Sequence, residues 1–436
     1  MILFFPSFAG AVEVFSLEKS IEYGLEHSPV LKGGGIQIDQ ADMDIKAQRG
    51  RFFPSVTTGY SYNQIFSEYY AGQKDPDYLD QQSNTASLRM TQALFAGFEN
   101  KNRFERAKLG KEYQEAQLKL KKLDLAYNIK AVFFELLKKK YDLSTIAKRI
   151  ERLESDFAAA KAFSDNKMVP YVYVLQAEAD LEDAKQTLWQ TETAIYKNSA
   201  KLKSLLGIER EHDQVEFDDV FEVPVHNMGE DIDYYMDKAL LTRPEFLLLS
   251  LETNMAKKDV AIAKGRYYPR VNLDLGLYDI DKAYGSMVAR SDDHYTYWNA
   301  GLSVQMNLFD GGGAYYEKRK YLLEIDRIEK EKKQVQMEIG EEVSVAFNSL
   351  RETRKRLVSV EKALAASQEN YDRQKKSFGA RIATISELLD AQTMLARAES
   401  AKSQTLLDGQ MFMSALFHAM GIEQRSFGQI KPELDK

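Results

Sequence analysis

The sequence has no cysteine, which excludes disulfides, zinc–thiolate sites, a thiol nucleophile and a lipid anchor on an N-terminal cysteine. It also has no run of about eighteen apolar residues, so it predicts no helix that spans a bilayer. Basic residues are not in excess, since 59 Lys and Arg stand against 66 Asp and Glu, and no basic stripe dominates a segment. The sequence therefore argues against a nucleic-acid-binding protein, and a membrane-crossing form would require a closed β-barrel.

Patterns typical of an enzyme or a metal site are also missing. The five histidines lack paired ligand spacing, and no serine, histidine and acid arrangement indicates hydrolysis. Gly311–Gly313 is not followed by the Lys-Ser/Thr of a phosphate-binding loop, so a flexible bend is the better interpretation. We therefore expect no catalytic activity, no cofactor and no metal site.

The first twelve residues, MILFFPSFAGAV, are the only strongly apolar start. They resemble the second half of a secretory signal, in which a short apolar stretch precedes small residues such as Ala9 and Ala11. The basic front end is missing, so we interpret residues 1–16 as a truncated signal-peptide remnant and expect export. An apolar N-terminal tail is the alternative.

The chain contains one pattern twice, displaced by 214 or 215 residues. The recurring landmarks are Ser28-Pro29 and Arg243-Pro244, Arg51–Pro54 and Arg266–Pro269, Leu94–Gly97 and Leu308–Gly311, and Leu206–Glu209 and Met420–Glu423. We predict two structural repeats, residues 17–222 and 223–436. Each should contain a helix, a β-hairpin and two long helices, at about 17–50, 54–95 and 98–206, then about 231–266, 269–309 and 314–420.

The predicted hairpins begin after Pro54 and Pro269 and alternate apolar and polar residues with a period of two. A soluble antiparallel sheet gives the same alternation. Aromatic residues at the strand ends favour a membrane sheet, because such residues collect at membrane interfaces. They are Phe52, Phe53, Tyr267, Tyr268, Tyr295, Tyr297 and Trp298.

The long helices carry apolar residues at three-four spacing, as in Ile328, Val335 and Ile339, which is typical of a left-handed coiled coil. Sixty-odd residues would extend about 90–100 Å. Two hairpins supply four strands per chain, too few to close a barrel, so a membrane protein of this kind must assemble. Two copies would give about eight strands and three about twelve, and a conducting pore favours three or more.

In fixed order and twice over, these motifs resemble the TolC family of outer-membrane efflux proteins. The resemblance covers the chain after residue 16 and includes Leu308–Gly312 and the tip segment Gly379–Ala391. It implies a mainly α protein with β structure. A duplicated strand-strand-helix-helix repeat would form, in a homotrimer, a 12-stranded transmembrane β-barrel continuous with a long periplasmic α-helical coiled-coil barrel.

The resemblance also implies a location in the bacterial outer membrane, extending into the periplasm, and contact with outer-membrane lipid. The protein would be the exit duct of a tripartite efflux pump or a type I secretion system. A periplasmic adaptor protein and an inner-membrane pump or ABC transporter would be its partners and would open it. The alternative from the sequence is a soluble coiled-coil scaffold with a small β-platform. The sequence does not indicate which cargo is exported.

By the same resemblance, Asp390 and Glu387 match carboxylates that ring the periplasmic entrance, and Arg381 matches a basic residue that ties neighbouring coiled coils. Ordinary solvated charges are the alternative for all three. Gly97, Gly311 and Gly312 are expected at the strand-to-helix bends.

In the first repeat, Tyr173 and Gln176 replace the two acids, so the acidic ring should come from one repeat only. Pro170, Tyr171 and Tyr173 make this tip more apolar. The apolar tip would be either an adaptor contact or the packing of a helical turn.

Overall fold

The computed structural model describes residues 13–69, 77–168, 170–208, 215–218, 231–285, 290–380 and 382–422. The elements follow in the order β1 (Glu13–Phe15), α1 (Leu17–His27), α2 (Pro29–Gly50), β2 (Ser55–Tyr69), β3 (Asp77–Ala96), α3 (Glu99–Asp165), α4 (Val172–Leu206), β4 (Val215–Phe217), α5 (Ile232–Thr242), α6 (Pro244–Gly265), β5 (Arg270–Gly285), β6 (Arg290–Gln305), α7 (Gly313–Gly379) and α8 (Ile385–Ala419). None of the helices in the described parts of the chain is long and apolar enough to cross a membrane.

Corresponding helices of the two halves have equal lengths. Helices α1 and α5 have 11 residues, α2 and α6 have 22, α3 and α7 have 67, and α4 and α8 have 35. The breaks between successive elements also fall at corresponding positions in the two halves. The element order of one half therefore repeats in the other.

The single helix expected at the start of each half is two helices. Ser28 and Arg243 adopt ψ angles of 125° and 127°, which end α1 and α5, and Pro29 and Pro244 begin the next helices. Proline disfavours the helical conformation in the residue before it and is accepted at the first helical position, where no N–H is needed. The prolines that marked the repeat therefore also break the helix.

Two short strands were not predicted. Strands β1 and β4 pair in parallel, and the side chains of Phe15 and Phe217 are 2% exposed. Three residues are too few for an alternation pattern to show. Strand β1 falls in the segment interpreted as a signal-peptide remnant, of which residues 1–12 lie outside the described residues.

The four long strands form one antiparallel sheet in the order β2-β3-β5-β6. The register aligns apolar residues across neighbouring strands, for example Met90 with Leu275 and Leu273 with Leu302. One face is therefore largely apolar on all four strands, as the period-two alternation predicts. The side chains on this face include Val56, Tyr60, Leu88, Met90, Leu273, Leu275, Leu277, Trp298, Leu302 and Val304.

The chain divides into two units, each made of separate stretches. One comprises the described parts of Met1–Gly35, Gln117–Phe246 and Lys333–Lys436, and the other Ile36–Ala116 and Leu247–Lys332. Among its described residues, the first unit contains apolar clusters around Phe133, around Leu416 and around Leu181. Helix α3 is apolar on most sides here, which is typical of a buried helix. Its buried side chains are Ile129, Val132, Phe133, Phe134, Leu136 and Leu137.

In each half, the glycine that follows the last helix packs closely against the break between the first two helices, here called the proline break. Gly207, at φ +75°, follows α4, and a Cβ there would lie 2.8 Å from Cδ of Pro29. Gly421, at φ +69°, follows α8, and a Cβ there would lie 2.9 Å from Cα of Arg243. Only glycine accepts both the left-handed backbone and the close approach.

Candidate gate at the tips of the helical hairpins

The second-half tip is the turn between α7 and α8, and its geometry is set by a capping box. The Thr384 hydroxyl accepts a hydrogen bond from the backbone N–H of Glu387 at 3.3 Å, and the Glu387 carboxylate accepts one from the backbone N–H of Thr384 at 2.7 Å. This reciprocal pair satisfies two N–H groups at the helix start. The backbone N–H and then the hydroxyl of Thr384 hold the pKa of Glu387 below its ordinary value.

Asp390 lies about one turn further along α8. Its Oδ1 accepts a hydrogen bond from Nη1 of Arg152, on α3, at 2.5 Å. The Asp390 side chain is 52% exposed and the Arg152 side chain 21%. The carboxylate is therefore both open to solvent and tied to another helix.

Further polar contacts join α3 to α8 along the same antiparallel course. Asp142 of α3 contacts Gln404 of α8, and Lys138 of α3 contacts Asp408 of α8. Asp408 also binds Arg356 of α7, so one carboxylate connects three helices. Two more pairs of this α3–α8 series among the described residues are Asp124 with His418 and Lys148 with Glu399. Arg152 and Asp390 are the pair of the series nearest to the tip.

Arg381, the third residue expected at the gate, lies outside the described residues. The structure brings Glu387 and Asp390 together on one helix end. It gives Glu387 a local role in helix capping and gives Asp390 the contact to α3.

The first-half tip has different chemistry. Helix α4 begins at Val172 after Tyr171, which forms no side-chain cap. Tyr171, Val172 and Tyr173 are each more than half exposed, whereas Val174 is buried. Ala366 and Gln176 stand where the repeat would place counterparts of Arg152 and Asp390, so the ion pair between α3 and α8 has no equivalent between α7 and α4.

The glycines expected at strand-to-helix bends lie between the sheet and the long helices. Gly97 stands between β3 and α3 at φ +60°, and Gly311 and Gly312 precede α7 at φ +69° and +89°. Pro54 and Pro269 immediately precede β2 and β5.

Sequence reasoning missed two features of the tip. The capping box was legible, because Thr384 and Glu387 have the Ser/Thr-x-x-Glu spacing before an apolar run. Arg152 was not, because its partner is 238 residues away and no local pattern marks it. The arrangement holds helices together through hydrogen bonds and ion pairs. The described residues include no group of three His, Asp or Glu that could hold a metal ion.

Comparison with known proteins agrees with the fold. A family model described as "Outer membrane efflux protein" matches residues 21–208 and 235–421. No curated protein sequence matches the chain.

Among solved structures, the chain is similar to the CmeC outer membrane channel of Campylobacter jejuni, with 15% identity, a TM-score of 0.74 and coverage of 93% of this chain and 85% of that one. It is also similar to the outer membrane protein VceC of Vibrio cholerae, with 16% identity, a TM-score of 0.69 and coverage of 93% and 96%. The MtrE outer membrane channel of Neisseria gonorrhoeae in its open state gives 16% identity, a TM-score of 0.66 and coverage of 93% and 89%.

These likenesses confirm the fold class, and the family match confirms the resemblance to TolC-like proteins. The soluble scaffold alternative is not supported. The chain belongs to the outer membrane efflux protein family.

Proposed function

We propose that three copies of this outer-membrane channel subunit form the exit duct of a tripartite efflux pump or a type I secretion system, closed at the helix tips until partner proteins open it. The ion pair between Arg152 and Asp390 carries the proposal, because it joins the tip of α8 to α3 through a carboxylate that is also open to solvent. In this assembly the strands would complete a 12-stranded barrel.

Three copies of Asp390 would form a ring of carboxylates at the periplasmic entrance. Such a ring attracts cations and repels anions, and a narrow pore limits screening by salt. Glu387 lies one turn closer to the tip and adds negative charge, although its carboxylate is engaged by Thr384. Arg381, which follows α7 in sequence, is proposed to tie neighbouring coiled coils.

The same ion pair is weak enough to be released. A partly exposed ion pair contributes about 0–1 kcal/mol, so each link restrains the helix only slightly. Three links that break together would bias the channel towards the closed state without locking it. A partner that draws α8 away from α3 could then open the entrance.

The first-half tip supports the proposed partners. Tyr171, Val172 and Tyr173 expose apolar and aromatic surface at a helix start, where packing of the turn would have buried them. Exposed aromatic residues are enriched where proteins bind proteins. We assign this tip to the contact with a periplasmic adaptor, which would couple the duct to an inner-membrane pump or ABC transporter.

The test is the conductance of the detergent-extracted protein in a planar bilayer, together with its oligomeric mass. The proposal expects a trimer with discrete channels that prefer cations. A monomer or dimer without conductance would overturn it.

A further inference from the structure

Helices α3, α7 and α8 line a cavity of about 580 Å³, here called the α7–α8 cavity. This volume lies in the range that holds a small organic ligand. Every lining residue belongs to the first of the two units of the chain. The site is therefore built from one copy of the protein.

Part of the lining is apolar and leaves room because two of its side chains are small. Met411, Ala415 and Ala419 follow one another at intervals of four residues, so they form a stripe along one face of α8. Phe412 and Val345 add an aromatic ring and a branched aliphatic side chain to the lining. The cavity thus offers apolar surface to a ligand.

Tyr127 and His418 add an aromatic wall whose orientation is fixed. Their ring centroids lie 4.5 Å apart and their planes differ by 24°. Nε2 of His418 lies 2.8 Å from Oδ1 of Asp124, so the imidazole is held in place against the phenol ring. In either protonation state of His418, its pair with Asp124 carries no net positive charge. Pre-oriented aromatic rings of this kind attract organic cations.

The charged part of the lining is acidic. Glu338, Glu341 and Glu342 lie on one face of α7, and no Lys or Arg lines the cavity in the described parts of the chain. Glu338 binds the neutral amide of Gln334, at 2.9 Å. Carboxylates at this spacing on a helix repel one another. A cation in the cavity would relieve this repulsion.

Arg243 does not cancel the negative charge. It pairs with Glu342 and also with Glu245, and its side chain is 2% exposed. These three residues together keep one surplus negative charge. Burial and then the charge of Glu342 raise the pKa of Tyr127, which agrees with a negative potential beside the aromatic wall.

The first half of the chain does not repeat this chemistry. The positions 214 residues before Glu342 and Ala415 are Asn128 and Lys201. The corresponding helices nevertheless have equal lengths in the two halves. The acids of α7 and the small residues of α8 are therefore not requirements of the repeated fold.

We infer that the α7–α8 cavity binds an organic cation with an aromatic or apolar body, such as an aromatic quaternary ammonium ion. The ammonium group lies beside Glu338 and Glu341, and the body packs against Tyr127, Phe412 and the apolar stripe of α8. The acids favour a cation over an anion, and the apolar surface favours an organic cation over a hydrated inorganic one. This site goes beyond the proposed function and does not depend on the oligomer.

Isothermal titration calorimetry of the detergent-extracted full chain tests the inference with benzyltrimethylammonium, whose charge does not titrate. Benzenesulfonate is the matched anion, with the same ring and the opposite charge, and should bind about tenfold more weakly or less. Tetramethylammonium lacks the ring and should bind about fivefold more weakly. Equal binding of the cation and the anion, or no saturable binding of the aromatic cation, would overturn the inference.

Charge removal tests the acidic wall. Glu338→Gln/Glu341→Gln should weaken binding of benzyltrimethylammonium about tenfold, because two of the carboxylates lose their charge. The matched control is Glu361→Gln/Glu369→Gln, which removes the same charge from α7 outside the cavity and should leave the affinity unchanged. Equal affinities of the two double variants would contradict the proposed site.

Two further variants test the location without removing a charge. In Ala415→Leu, the larger side chain fills space beside the apolar stripe and should abolish binding. Tyr127→Leu removes an aromatic ring and should weaken binding about threefold to tenfold. Each variant is checked by circular dichroism, and unchanged affinity in a folded Ala415→Leu chain would place the cation elsewhere.

Oligomeric mass and conductance of the same samples separate this inference from the proposed function. If the unaltered chain binds the aromatic cation but forms no trimer, the proposed function fails and the cation site stands. If a conducting trimer binds no aromatic cation, the cation site is wrong and the channel proposal stands.

Discussion

Nη1 of Arg152 lies 2.5 Å from Oδ1 of Asp390, and this contact joins α3 to α8 near the tip of the second helical hairpin. Arg152 also lies 3.9 Å from Asp156 on its own helix, so it is held between two carboxylates. Its removal would release Asp390 without altering the acid itself. The proposed closing contact and the proposed charge of the entrance can therefore be tested separately.

Arg152→Gln should raise the open probability of the channel. If three pairs of about 0.5 kcal/mol break together, the closed state loses about 1.5 kcal/mol, which corresponds to about tenfold. The measurement is single-channel recording in planar bilayers. Arg149→Gln is the matched control, because Arg149 lies on the same helix but faces Asp183 of α4 at 4.0 Å. Equal open probabilities for the two variants would show that the Arg152–Asp390 ion pair does not hold the channel closed.

Asp390→Asn should weaken cation selectivity and block by polyvalent cations, because the proposed trimer would lose the three carboxylates at its entrance. The reversal potential under a salt gradient measures the effect and should move towards zero. Asp183→Asn removes the same charge from the exposed side of α4 and should leave the potential unchanged. An unchanged reversal potential in Asp390→Asn would contradict the assignment of Asp390 to a ring of carboxylates at the entrance.

The capping box predicts a pH dependence of the tip. The pKa of Glu387 is lowered in the folded protein. The stabilisation of the helix start by its carboxylate is therefore fully present above the ordinary glutamate pKa of 4.5 and is lost as pH falls through the lowered pKa. Amide exchange of residues 384–388 should therefore speed up between about pH 6 and pH 3 relative to Glu387→Gln, because glutamine keeps the hydrogen-bond acceptor and does not titrate. A ratio that is constant over this range would contradict the prediction.

The buried guanidinium of Arg243 predicts a stability effect. Its side chain is 2% exposed and binds Glu245, at 3.1 Å, and Glu342. Arg243→Met would leave both carboxylates without this partner, and because Glu342 is half exposed we expect a loss of about 1–3 kcal/mol. Chemical unfolding followed by circular dichroism measures it. Arg327→Met, at an exposed site on α7, should cost less than about 0.5 kcal/mol. Equal losses of unfolding free energy in the two variants would show that burial of Arg243 does not add to its contribution to stability.

Local signals in the sequence explain most of the fold that could be predicted. Pro54, Gly97 and their counterparts in the second half act on the backbone where they stand, so they mark the hairpins and bends at nearly the right residues. The same kind of signal acts at Pro29, where the helix predicted over residues 17–50 breaks into α1 and α2. Contacts between distant residues, such as Arg152 with Asp390, depend on how helices lie side by side and leave no local trace.

Gly207 and Gly33 predict opposite effects of the same substitution. Gly207→Ala places a Cβ 2.8 Å from Pro29 on a backbone at φ +75°, so it should destabilise the protein by about 1–2 kcal/mol for the left-handed conformation alone, plus the clash. Gly33 lies inside α2, and a Cβ there meets nothing within 4 Å. Gly33→Ala should stabilise by about 0.5–1 kcal/mol because alanine favours a helix. Thermal unfolding of the two variants measures both. Shifts of the same sign would contradict the proposed fastening of α4 to the proline break.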